Sequence, residues 1–150
     1  MSFIDALNED LKNALKEKNE IKLAAIRQIK THVTNAEIKK GKMLTEEEIG
    51  TVVFSLVKSH NESIESFKSG NRPDLVEKEE KELFYLKHYL PEQLSDEELK
   101  NVIVETIKET GAVSGKDIGR VMGKLMPKVK GKADGAKVKL FATQILDGQK

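Results

Sequence analysis

Among its 150 residues the sequence has no cysteine and no tryptophan, only three prolines, and 5% aromatic residues. Without thiols there can be no disulfide, no zinc–thiolate centre and no cysteine nucleophile. No apolar run approaches the roughly 20 residues of a membrane helix. The first stretch, MSFIDALNEDLKNALKEKN, is charged and amphipathic and lacks the apolar core of a secretory signal. A cytoplasmic location and no membrane partner are therefore expected. β-Branched residues nowhere alternate with polar ones over a useful length, so no strand pattern competes with helix.

What the chain does have is charge and helical periodicity. Charged residues make up 34% and hydrophobic residues 38%, enough for a modest core in one large domain or two small ones. The net charge of +1 hides a division. Residues 1–94 hold 15 Lys+Arg against 17 Asp+Glu, whereas residues 95–150 hold 11 against 8. Within 111–140 the balance is 8 against 2, so an anionic partner would meet the carboxyl-terminal part.

Caps and the 3.6-residue period predict about seven helices. Ser2 with Asp5 caps a first helix to about Lys18, burying Phe3, Leu7, Leu11 and Leu15. Asn19 opens a second, through Ile21, Ala25, Ile29 and Val33, which Gly41 stops. Thr45 and Glu48 form a capping box for a third helix of roughly 36 Å, ending at Gly70. Pro73 suits the first turn of a fourth, which buries Leu75, Leu83, Leu86 and Leu90 and ends at Pro91. Ser95 and Glu98 repeat the capping box before a fifth, closed by Gly111. Ser114 faces Asp117 across a sixth cap, and Asp134 caps a seventh carrying Val138, Phe141, Ile145 and Leu146. The expected fold is all-α, with two packed helical bundles of four and three helices, residues 1–91 and 92–150.

Conventional catalytic signatures are missing. His32, His60 and His88 fall on three different helices, with no HExxH element and no close carboxylate pairing, so no metal is expected and His60, in line with Leu56 and Ile64, reads as a packed helix-face residue. Glu46, Glu47 and Glu48 suit the positive end of a helix. Glu77, Glu79, Glu80 and Glu82, interleaved with Lys78 and Lys81, read as a solvated face. There is no GxSxG and no GxxxxGK[ST] after a strand, so no catalytic residue is assigned and no cofactor is expected.

The segment GAVSGKDIGRVMGKLMPKVKGKADG, Gly111–Gly135, is different. At 100° per residue Lys116, Arg120, Lys124 and Lys128 form one basic stripe, opposite Ile118, Val121, Met122, Leu125 and Val129. Between the two faces runs a strip of Gly115, Gly119 and Gly123. Three interior glycines cost a helix roughly 2–3 kcal/mol relative to alanine, which suggests that close approach is wanted, either by another helix or by an RNA backbone. Pro127 marks where helix gives way to a basic turn carrying Lys130, Gly131 and Lys132, just before the next helix amino terminus, an anion-favouring position. The expected nucleic-acid-binding residues are Lys116, Arg120, Lys124, Lys128, Lys130 and Lys132, and the close-approach glycines are Gly115, Gly119, Gly123 and Gly131.

The segments LAAIRQIKTHVTNAEIKKG, GNRPDLVEKEEKEL, YLPEQLSDEEL and GKDIGRVMGKLMPKVKGKADG, in this order and spacing, resemble the GatB/YqeY family over nearly the whole chain. The resemblance implies an all-α fold with a larger amino-terminal and a smaller carboxyl-terminal bundle. It also implies a role in translation. In the B subunit of the glutamine-dependent aminoacyl-tRNA amidotransferase, similar segments form the helical and tail region that contacts tRNA, and Val121–Gly135 is most like that tail. That subunit's chemistry resides in a cradle domain that nothing here resembles. A carbon–nitrogen ligase activity with glutamine as amido-N donor is thus an inherited label, and catalysis by this chain alone is not expected. The leading expectation is a module binding tRNA or another structured RNA. Amidotransferase subunits or an aminoacyl-tRNA synthetase are further candidate partners, and the alternatives are a carbon–nitrogen ligase role with glutamine as amido-N donor, as a subunit or by family inheritance, and a protein–protein adaptor.

Overall fold

The structure, a computed structural model, describes residues 2–148. It divides into two compact units, Met1–Pro91 and Glu92–Lys150. The first holds helices α1 (Phe3–Glu17), α2 (Glu20–Lys40), α3 (Glu46–Ser69) and α4 (Pro73–Leu86), followed by a 3-10 turn over Lys87–Tyr89. The second holds α5 (Asp96–Thr110), a 3-10 turn over Gly115–Asp117, α6 (Ile118–Val129) and α7 (Gly135–Asp147). The fold is all-α, with no strand among the described residues.

Local chemistry sets most helix ends. Ser2, Thr45 and Ser95 each accept from the backbone N–H three residues on, while the side chains of Asp5, Glu48 and Glu98 accept from the cap N–H in return. Each box satisfies two of the four orphan donors at a helix start. Gly41 and Gly111 close α2 and α5 at φ +82° and +70°, a left-handed geometry that lacks a Cβ penalty only for glycine. Gly70 behaves differently: it stays at φ −83°, and Asn71 takes the left-handed conformation at φ 55° instead.

In the first unit the core is built on Leu7, Ile26, Ile29, Val53 and Leu86, all fully buried. Burying such a side chain contributes roughly 1.5–3 kcal/mol. Leu15, expected in the core, is 52% exposed, and Ile21 is also exposed. Both flank the turn at Lys18 and Asn19 that joins α1 to α2; periodicity identifies a helix face but not where along the helix its neighbours stop.

In the second unit Leu99, Ile103 and Ile107 of α5 meet Val121, Leu125 and Val129 of α6 and Val138, Ala142 and Leu146 of α7. The register of α6 is as its apolar period predicts, but its ends are not. Ser114 makes no side-chain cap bond, and a 3-10 turn precedes the helix. At the other end α6 runs two residues past Pro127 to Val129. Val129 is fully buried, and the Lys130 N–H reaches Met126 O at 2.9 Å. Proline in this last turn leaves the Gly123 carbonyl, four residues back, without a helical donor, a modest loss at an exposed position.

Candidate nucleic-acid interface

The apolar face of α6 fixes which of its residues meet solvent. With Val121, Leu125 and Val129 buried against α5 and α7, Gly119, Arg120, Gly123, Lys124 and Lys128 are exposed. Lys116 is exposed on the preceding 3-10 turn rather than on α6, and Lys130 and Lys132 are exposed on the turn before α7.

These cations differ in their surroundings. Arg120 Nη2 lies 3.3 Å from Asp117 Oδ1, an exposed pair one turn apart. Asp117 also accepts from the Val113 N–H at 3.0 Å, and it is this bond first, then the Arg120 charge, that holds its carboxyl below the ordinary carboxylate value. Asp117 thus tethers the loop before α6, the role expected of Ser114. Lys128 folds back onto α5, with Nζ 3.0 Å from Thr106 Oγ1 and from both Glu109 carboxylate oxygens. Lys116, Lys124, Lys130 and Lys132 make no ion pair among the described residues.

The four singled-out glycines separate into three cases. A Cβ at Gly119 or Gly123 would find nothing within 4 Å. Among the described residues no helix packs on this strip. At Gly115 a Cβ would stand 2.9 Å from Asp147 Oδ1, so the close approach there is to α7. Gly131 is buried with φ +80°, and its need is conformational.

The basic turn is held from outside. Gln93 Nε2 donates to Gly131 O at 2.8 Å, and the Leu94 N–H donates to Lys132 O at 2.9 Å. The segment leading into α5 therefore positions Lys130 and Lys132. Sequence reasoning missed this brace because it joins residues nearly 40 positions apart. Beyond the turn, Lys137 pairs with Asp96 and, with Lys100, lies over the Phe141 ring, 5.7 and 5.0 Å from its centre. That use of Lys100 on α5 and Lys137 on α7 carried no sequence signal.

The three histidines have different settings. His32 is exposed on α2. His88 is exposed on the 3-10 turn, edge-on to Phe84 at 5.0 Å. His60 is buried, with 8% exposure. Glu77 and Glu80 do face solvent, but Glu79 and Glu82 turn inward toward His60.

A family model for Yqey-like proteins matches residues 4–146, and the chain belongs to that family. Among curated relatives, the altered inheritance of mitochondria protein 41 of Clavispora lusitaniae is 35% identical over 114 residues, covering 74% of this chain and 66% of the relative. Its counterpart in Candida glabrata is 34% identical over 112 residues, covering 72% and 62%. That of Pyrenophora tritici-repentis is 37% identical over 83 residues, covering 55% and 46%. The chain spans about half to two thirds of the length of the curated relatives it matches. These relatives are named as mitochondrial proteins, which overturns the expected cytoplasmic location. That expectation rested on the lack of an apolar secretory core, whereas mitochondrial leaders are amphipathic and basic and need none.

Proposed function

We propose that this Yqey-like protein is a non-catalytic module that binds tRNA or another structured RNA through its carboxyl-terminal unit. The observation that carries the reading is the open strip at Gly119 and Gly123, where a Cβ would meet nothing within 4 Å among the described residues, beside exposed Arg120 and Lys124. The helical cost of those glycines, up to about 1 kcal/mol each, is not repaid by packing among the described residues. Lys116, Arg120, Lys124, Lys130 and Lys132 supply the phosphate contacts, and the strip lets a backbone come close. Lys128 contributes less, because Glu109 already offsets its charge in the free protein. Among the described residues the stripe has no aromatic platform for stacking unpaired bases, which favours a folded RNA backbone over an extended single strand.

Neutralising about five phosphates makes log K fall with log salt at a slope of roughly −3.5 to −4.5. Binding of unfractionated tRNA across a salt series, by fluorescence anisotropy, measures it. Joint Lys124→Glu, Lys130→Glu and Lys132→Glu substitution should weaken binding at least tenfold and flatten the slope by about 3. Unaltered affinity in that variant defeats the site. A pull-down partner that survives nuclease and high salt, with no RNA affinity, replaces the reading with a protein–protein adaptor.

A further inference from the structure

In the amino-terminal unit α2, α3 and α4 pack against one another and bring together four side chains that no sequence motif connects. His60 of α3 faces Gln28 of α2 and, on α4, Glu79 and Glu82, which are three residues apart and so share one face. His60 Nε2 lies 2.9 Å from Gln28 Oε1, and Gln28 Nε2 donates to Glu82 Oε2 at 3.2 Å. An ionised carboxylate only accepts, so the hydrogen-bond network turns the Gln28 NH2 toward Glu82 and its oxygen toward the ring, where it requires a proton on Nε2.

Nδ1 is then the ring atom left for another partner. It is buried without a hydrogen bond of acceptable geometry, yet it lies 2.5 Å from Glu79 Oε2 and 4.0 Å from Glu82 Oε2. The three ligand atoms all fall within 4.8 Å of one another. Two carboxylates, with side chains 20% and 12% exposed, thus converge on one imidazole nitrogen. A second ring proton offsets only one of their two negative charges, whereas a divalent ion offsets both.

We propose that His60 Nδ1, Glu79 and Glu82 bind a divalent transition metal of the zinc class, with Gln28 orienting two of the three ligands. One nitrogen and two carboxylate donors suit Zn²⁺, Co²⁺ or Mn²⁺, whereas Mg²⁺ and Ca²⁺ take oxygen ligands. Tetrahedral bonds of about 2.0–2.1 Å place donors about 3.4 Å apart. The two Nδ1–carboxylate separations straddle that value, and carboxylate rotations of less than about 1 Å bring both to it. Gln28 accepts from the ring nitrogen that does not bind metal and donates to one ligating carboxylate, the outer support that metal-bound histidines and carboxylates ordinarily have. Three protein ligands leave a fourth position for water, and the ion ties α3 to α4, with Gln28 of α2 bracing both.

The test uses the full chain, stripped with a chelator and titrated with ZnCl2, with MgCl2 as a control, by calorimetry and thermal unfolding. One equivalent of Zn²⁺ should bind with a Kd at or below micromolar and raise Tm by several degrees, and Mg²⁺ should do neither. Glu79→Gln and Glu82→Gln should each weaken binding at least tenfold, and Gln28→Ala about 10–100-fold. His32→Ala and His88→Ala should leave it unchanged. Co²⁺ should give the visible absorption of a tetrahedral site, lost in Glu79→Gln, the ligand nearer the surface and the variant more certain to fold. No stoichiometric Zn²⁺ uptake by the folded chain, or uptake indifferent to both glutamate substitutions, overturns the proposal.

Discussion

Pro91 lies directly over Gly50 of α3: a Cβ built at Gly50 would stand 2.6 Å from Pro91 Cγ, closer than real Cβ atoms come to anything. Gly50 is buried in the first turns of the long third helix. Alanine there gains up to about 1 kcal/mol of helix propensity but must displace a ring with little freedom to move. Overpacking of this kind costs about 1–3 kcal/mol. Gly50→Ala should therefore lower the urea midpoint of the chain, and a midpoint equal to or above wild type contradicts the contact.

The same substitution on α6 has the opposite sign. Around Gly119 and Gly123 there is room for a methyl group, so Gly119→Ala and Gly123→Ala should each stabilise the protein by up to about 1 kcal/mol. If the strip admits an RNA backbone, the doubly substituted protein is more stable and binds tRNA less tightly. Urea unfolding and anisotropy on one preparation read both effects. Stability gained with affinity unchanged removes close approach from the RNA reading while leaving the lysines in place.

Glu48 gives the fold an acid-sensitive component. The Lys40 ammonium first, then the Thr45 N–H, hold its carboxyl down to about 2 from an ordinary 4.5. Because the folded value is the lower one, the contribution is present above about pH 4.5 and is lost as pH falls from there through about 2. The difference in thermal midpoint between wild type and Glu48→Gln should be largest above pH 5 and shrink toward pH 2. Added salt should reduce it, since both partners are at the surface. A difference that stays constant across that range rules out the linkage.

Much of the fold is legible in short stretches of sequence. The boxes at Ser2, Thr45 and Ser95 and the left-handed glycines at Gly41 and Gly111 act over three or four residues, and the structure has helix ends at those places. The apolar period of α6 likewise announced the buried side formed by Val121, Leu125 and Val129. Where the local rules compete, the reading slipped. Asp117 rather than Ser114 ties down the loop before α6, Asn71 rather than Gly70 turns left-handed, and the buried Val129 carries α6 past Pro127.

The sequence by itself determined helix type, the main caps and the sidedness of the basic segment, because each depends on dihedral preferences and spacing along one helix. Only the tertiary structure decided what those sides meet. It opened the strip at Gly119 and Gly123, bent Lys128 onto Glu109, and pinned the basic turn from Gln93 and Leu94. It also set Pro91 on Gly50 and gathered Gln28, His60, Glu79 and Glu82 from three helices. The physical reason is the same throughout. A helix period repeats within one element, whereas the rotation and depth at which two helices pack come from side-chain shapes on both, and no single stretch of sequence holds that information.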